Sequence, residues 1–410
     1  MALKTIFKVE AKNYLASFNG LPQESWYGIF LNIFESTLGG ACLFLSLYFT
    51  TVLHMNMSIV GQLISIYSIG RLVGGVVAGK LVDIFSIKLI LITSLILEGV
   101  CFLLLSNSLN PFILAGELFF LGISIYGFLT ANNLWVIQQS DQSEVLKLKS
   151  INLLYTGSNL GIGLAALYIG ILSSYGIKFI FSVSGCLLLI LSILLIFKKV
   201  TTLTKIDAQS CGDVNSQSSS NKNKKTLVIS FFCLFCASII VSQQIAIFLV
   251  FIKDTFKHIS YRELSFLYAI NPLLIIFLQS PLVIKLEKAN KILLMGVGIF
   301  LLGFGLLLLN GPSIFLIAVL AYVVYTCGEM IFFSVAQLII YNNSGKNKGQ
   351  ALGLYKSVYA LGAVIGPSTG GLVYHFLGAR MIWYFSGFIA CTCFIICISN
   401  YRNTLSSSCY

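Results

Sequence analysis

Five ionisable side chains lie inside long apolar runs of this sequence: Glu35, Arg71, Glu98, Glu117 and Glu329. A charge in an apolar medium costs several kcal/mol unless it is paired, wetted or neutralised by a proton, so these residues are candidates for handling protons or charged solutes. At about 1.5 Å per residue, Glu35 and Arg71 sit about 13 Å from the same end of successive runs. Glu98 and Glu329 are about 15 Å deep, and Glu117 about 9 Å from the opposite end of its run. The shared depth predicts a Glu35–Arg71 pair, and two roles stay open for it. It is either a switch that breaks when Glu35 takes a proton or a static structural pair. Pairing favours the ionised carboxylate and apolar burial the neutral acid, and the sequence leaves that balance open. The amides Asn32, Asn132, Asn133, Gln243, Gln244, Asn271 and Gln337 are weaker candidates, able to meet a solute or to tie helices together.

Other chemistries lack their residues. His54, His258 and His375 fall at the ends of runs and do not cluster, and no phosphate-cradling GxxxxGK[ST] loop exists. The chain therefore reads as no enzyme, with no ATP engine, metal or bound cofactor. Cys233-Leu-Phe-Cys236 has metal-like spacing, but it lies in an apolar run without histidine, and free cysteine there packs as a small hydrophobe.

The elements that must position these residues are membrane-spanning helices. Hydrophobic residues make up 57% of the 410 residues and charged residues 10%, against roughly 25% charged in soluble domains. Crossing a core of about 30 Å takes about 20 apolar residues. Twelve runs meet this: 27–51, 58–80, 88–107, 111–137, 149–172, 177–197, 227–251, 263–284, 291–310, 312–341, 350–374 and 380–400. The expected fold is an all-α membrane protein of twelve helices. The polar, Ser/Asn/Lys-rich stretch 198–226 reads as a cytoplasmic linker between six-helix halves at 27–197 and 227–400, with cytoplasmic segments at 1–26 and 401–410.

The net charge of +12 resides in short connections, not on one folded face, which excludes nucleic acid as the partner. Nineteen of the 26 Lys and Arg residues fall in the N-terminal segment and the connections on its side, and five in the others. This bias predicts both termini in the cytoplasm of a multi-pass protein, in a bacterial inner membrane. Met1–Glu24 lacks the apolar core of a signal peptide, and Lys4, Lys8 and Lys12 share one helical side, predicting a short interfacial helix. Trp26, Tyr27, Trp135 and Trp383 near run ends read as interfacial anchors.

The halves repeat. Gly157-x-x-x-Gly161 and Gly362-x-x-x-Gly366 are offset by 205 residues, and Ala165-Ala166 stands opposite Gly370-Gly371 at the same offset. Glycines four apart open one helix stripe to another backbone, and Pro367 removes a backbone donor and favours a bend. Gly79-Lys-Leu-Val-Asp83-Ile-Phe-Ser-Ile-Lys88 lies between runs 2 and 3, and Gly362-Ala-Val-Ile-Gly366-Pro367-Ser-Thr-Gly370-Gly371 in run 11.

These two stretches resemble the major facilitator superfamily: the first its loop between helices 2 and 3, the second the glycine-proline pattern of its antiporters. The resemblance implies two pseudo-symmetric six-helix bundles that alternate access to a central site. It places runs 1, 4, 7 and 10 around that site, so Glu35, Glu117, Glu329, Asn32, Asn132, Gln243 and Gln244 would face it and Glu98 would be peripheral. Leu118 stands where the family often carries an arginine. Asp83 would latch onto the start of run 11 near Gly349–Ala351. The drug:proton antiporter branch fits best. It implies a monomer in the lipid bilayer that drives efflux of a small organic solute with the proton gradient. Uptake of an amino acid or other metabolite, and a non-transporting receptor or scaffold, are the alternatives.

Overall fold

The computed structural model describes residues 20–140, 144–198, 221–286, 289–343 and 348–406. The expected interfacial helix before residue 20 and most of the linker lie outside them. Span 1 runs over Gln23–Thr51 with a 3-10 turn, Gly40–Phe44, in its middle. Spans 2 to 6 are Met57–Ile84, Ile87–Leu105, Pro111–Gln139, Glu144–Leu172 and Ile177–Phe197. Span 7 runs from Asn221 to Gln243, widens into a π turn over Gln244–Phe248, and ends with Leu249–Thr255. Spans 8 to 12 are Tyr261–Lys285, Lys291–Leu307, Phe315–Asn343, Lys348–Leu377 and Ala379–Ser406. Among the described residues, eleven of these helices are long and apolar enough to cross a membrane. Lys348–Leu377, 30 residues long, is the twelfth.

Local chemistry sets the helix ends. Asn110 caps span 4, accepting from the Phe112 amide at 2.9 Å with Pro111 in the first turn. Asn290 caps span 9 and Ser86 span 3 in the same way. Gly176 between spans 5 and 6 and Gly378 between spans 11 and 12 adopt φ of 96° and 92°. A side chain would strain that conformation, and both turns occupy the same place in the repeat. Asp83, read in the sequence as part of the loop between spans 2 and 3, lies in the last turn of span 2 and is exposed, and Ser86 caps span 3. Trp135 and Trp383 are fully buried and so are not interfacial anchors. Phe251 packs edge-on against Trp383 at 5.2 Å.

The helices form two compact units, one of Met1–Cys42 with Gly70–Ala208 and one of Leu43–Ile69 with Gln209–Tyr410. In the first, a Cβ on Gly161 would meet Ser36 Cβ at 2.6 Å and the Ile33 carbonyl at 2.7 Å, while Gly157 faces Asn32 and Gly40 faces Ala165. Spans 1 and 5 thus touch backbone to backbone. The second unit repeats this contact between spans 7 and 11: Gly362 lies against Ser238 and Phe235, Gly366 against Ser242 and Ile239, and Gly370 against Gln243. The glycine repeat of the sequence is therefore a repeat of packing.

The second unit also holds the end of span 1 and the first half of span 2. A Cβ on Gly61 would press on the Pro367 carbonyl and lie 3.0 Å from Gly371 Cα, Ser65 donates to the Val364 carbonyl, and the Ser368 hydroxyl lies 2.7 Å from that of Ser65. Gly79 has open space beside it and serves no packing role among the described residues. Replacing Gly161 with leucine is expected to cost about 1–3 kcal/mol through overpacking. Gly79→Ala should stay within about 0.5 kcal/mol of the parent. Thermal unfolding of the two variants in detergent measures the difference.

Candidate functional site

Among the described residues, each unit buries ionisable side chains beside other polar groups. In the first, Glu35 on span 1 is 2% exposed and Glu98 on span 3 is 0% exposed. Gly39, one turn beyond Glu35, separates them: a Cβ there would lie 2.8 Å from Glu98 Oε1 and 3.3 Å from Glu35 Oε1. One oxygen of each carboxyl group therefore borders the space that a side chain at position 39 would fill. The Ser36 hydroxyl donates to Glu35 at 3.2 Å. Neither oxygen of Glu98 has a hydrogen-bond partner.

The expected Glu35–Arg71 pair does not form. The Arg71 guanidinium lies 4.5 Å from the centre of the Tyr126 ring and donates to the Tyr126 hydroxyl, so span 2 delivers it to span 4. Gly70 and Gly74 make this possible, since their bare faces lie on the span 4 backbone at Phe119 and Ile123. Counting residues along two helices compares depth but not the side that each residue faces. Glu98 was expected to be peripheral and is instead Glu35's neighbour.

The remaining candidates of this unit mostly tie helices. Asn32 donates to the Leu154 carbonyl at 3.0 Å and to Ser158 at 2.8 Å, joining spans 1 and 5. Asn132 donates to the Gly28 carbonyl at 3.0 Å, joining spans 4 and 1. Glu117 accepts from Ser108, in the connection before its own span, and its second oxygen is buried without a partner. Lys88 donates to the Ile196 carbonyl at 2.7 Å and so anchors the start of span 3 to the end of span 6. The stretch expected to receive Asp83, 349–351, includes side chains outside the described residues.

In the second unit, spans 7, 8 and 10 build a denser site. The π turn of span 7 begins at Gln244, whose amide donates to the Tyr322 hydroxyl and accepts from Tyr325 at 3.1 Å. Such a turn offsets the helical ladder, and the Ile245 carbonyl within it accepts from Ser46 at 2.8 Å. Tyr322 stacks on Phe248 at 4.7 Å and on Tyr325 at 5.8 Å. Asn271 of span 8 donates to Thr326 at 3.2 Å and to Glu329 at 2.6 Å. Glu329 is thus a half-buried carboxylate held by an amide, on the same helix as two stacked tyrosines. Gln243, by contrast, spends its amide on the Ile239 and Gly366 carbonyls and belongs to the packing of spans 7 and 11.

Tyr322, Tyr325 and the weight of Asn271 were missed in the sequence. The signal was present: 322, 325, 326 and 329 recur at the helical spacing that places residues on one face. Cys233 Sγ lies 3.8 Å from Cys397 Sγ of span 12, and both are buried.

Comparison with known proteins agrees with this architecture. An uncharacterised MFS-type transporter of Methanocaldococcus jannaschii is 22% identical over 381 residues, covering 90% of this chain and 95% of its own length. Multidrug resistance protein 2 of Bacillus subtilis is 21% identical over 401 residues, covering 94% and 92%. Among solved structures, the nucleoside transporter NupG aligns with a TM-score of 0.76 at 13% identity, over 93% of this chain and all of its own. A POT family transporter bound to a thioalcohol-conjugated peptide aligns with a TM-score of 0.78 at 14% identity, over 94% and 97%. These structural likenesses concern the fold. The Major Facilitator Superfamily profile matches residues 26–346 and 227–404. With its long apolar helices and repeated packing, the chain is a multi-pass membrane transport protein, not an enzyme, and belongs to the Major Facilitator Superfamily.

Proposed function

We propose that this transporter exports a small organic solute carrying a basic group, in exchange for protons. The observation that carries this reading is the site on spans 7, 8 and 10. Tyr322, Tyr325 and Phe248 form a buried aromatic stack, and Glu329, half-buried and held by Asn271, supplies one negative charge beside it. Stacked aromatic faces with a single carboxylate suit an aromatic or aliphatic amine. The tyrosines and Gln244 fix one another through hydrogen bonds, so the stack behind Glu329 is rigid and little side-chain freedom is lost when a solute binds beside it.

Export is favoured over uptake by the name of the Bacillus subtilis relative and by the Gly362–Gly371 stretch with Pro367. Protons are favoured as the driving ion because Glu35 is a buried carboxyl group held by a single hydroxyl, a group that can take up and release a proton. Alternating access would move the six-helix halves on either side of the 198–226 linker, with both termini in the cytoplasm of a bacterial inner membrane and the chain acting as a monomer.

Purified protein screened against amines by thermal shift is expected to yield stabilising solutes, since a ligand that binds only the folded state raises its stability. A hit should then move through proteoliposomes against its gradient when a pH gradient is imposed. No solute flux in any condition would leave a receptor or scaffold. Accumulation together with protons would make the chain an uptake permease.

Glu329→Gln is expected to weaken binding of a cationic hit by about tenfold, roughly 1.4 kcal/mol, and to leave a neutral analogue unchanged. Equal losses for both would remove Glu329 from solute recognition. Tyr322→Ala, which deletes the central ring of the stack, should cost both analogues a further 0.5–1.5 kcal/mol or about that. Titration calorimetry of the two variants separates the charge from the aromatic contribution.

A further inference from the structure

Glu98 has no place in the transport reading above, and its surroundings make it the most demanding residue in the first unit. It is fully buried with neither oxygen partnered. Glu35, its neighbour across Gly39, has the Ser36 hydroxyl as its partner. Two buried carboxylates with so few donors cannot both be ionised at reasonable cost, because their repulsion and their desolvation add.

Other charged or titratable groups on the surrounding helices do not offset this. Glu117 of span 4 is held by Ser108. Tyr168 of span 5 bonds Ser184 of span 6. Cys42 and Cys101 on spans 1 and 3 are buried cysteines outside any disulfide. Arg71 of span 2 engages Tyr126 of span 4.

We propose that Glu35 and Glu98 form a shared-proton site, in which one carboxylic acid donates to the other's carboxylate, and that this pair is the proton-binding element of the exchanger. The proposal rests on the proton-exchange reading and gives it a place. A proton needs only the two oxygens that Gly39 allows to converge, whereas a hard metal cation takes about six oxygen ligands, which the surroundings do not offer.

The position of the pair gives it leverage. Gly39 ends the α-helical part of span 1, the 3-10 turn Gly40–Phe44 follows, and the chain passes from the first compact unit to the second between Cys42 and Leu43. Loss of the shared proton leaves two like charges facing each other one turn from that passage. Gain of a proton removes the repulsion. The site can therefore bias the conformation of span 1 at the point where the two units are joined through it.

The test is a pH titration of the protonated-carboxyl stretch by difference infrared spectroscopy, on full-length protein in liposomes, for the parent, Glu35→Gln and Glu98→Gln. The parent is expected to titrate in two steps, as an interacting pair does. Each variant should show a single step displaced by a factor of ten or more in proton concentration. If Glu98→Gln titrates like the parent while Glu35→Gln does not, Glu35 acts alone and the shared site is overturned. If both titrate like the parent, the pair binds no titrating proton and the proposal is likewise overturned.

Sodium added at constant pH is expected to leave the signal in place, and a sodium-dependent loss would replace the proton by a metal cation. Glu98→Asp, which keeps the acid, guards against a variant that does not fold: it should retain two steps with changed spacing, and one unchanged step would count against the pair. Solute flux under a pH gradient, measured in the same liposomes, tests proton coupling separately. Parent flux indifferent to the gradient overturns the exchange reading, while the infrared titration still decides whether the pair shares a proton.

Discussion

Contact between helix backbones, made possible where side chains are absent, organises both units. In a bilayer the lipid tails are as apolar as leucine, so burying apolar surface gives helices little reason to associate. Close packing and hydrogen bonds between helices have to do it instead. Gly157, Gly161 and Gly40 bring spans 1 and 5 together, and Gly362, Gly366 and Gly370 do the same for spans 7 and 11. Gly99 and Gly185 meet symmetrically between spans 3 and 6, each lying under the other's carbonyl. Larger residues at these places would separate the helices and, with them, every polar group carried alongside.

The polar clusters depend on these contacts. Asn32 reaches Leu154 and Ser158 because Gly157 and Gly161 let span 5 approach. Gln243 reaches the Gly366 carbonyl for the same reason on span 11. Gly39 has a different role: it opens space between two acids instead of between two backbones. A π turn in span 7 and a 3-10 turn in span 1 are the irregular points of these two helices, and each lies in the first helix of a sequence half.

The two clusters differ in chemistry in a way that suits a division of labour. Acids dominate the first, with little hydrogen bonding around Glu98. Aromatic rings and amides dominate the second, where hydroxyls and carboxamides are mutually satisfied around a single acid. On the reading proposed above, the first would take up the proton and the second would meet the solute.

Much of the architecture was legible in the sequence. Twelve helices, their ends to within a few residues and the matched glycine stripes follow from one-dimensional quantities. Apolar length dictates a span because lipid offers the backbone no hydrogen bonds and only a helix satisfies its own. Spacing of four dictates a stripe because the helix turns every 3.6 residues. A depth for Glu35, Arg71 and Glu98 can be counted from the sequence for the same reason. What depth omits is azimuth, the direction each side chain takes around its helix, together with the neighbour that packing brings there. That second coordinate placed Arg71 on Tyr126, buried Trp135 and Trp383 away from the interface, and turned Glu98 toward Glu35. Only the tertiary structure decides it, because it is set by which small residues on neighbouring helices yield space.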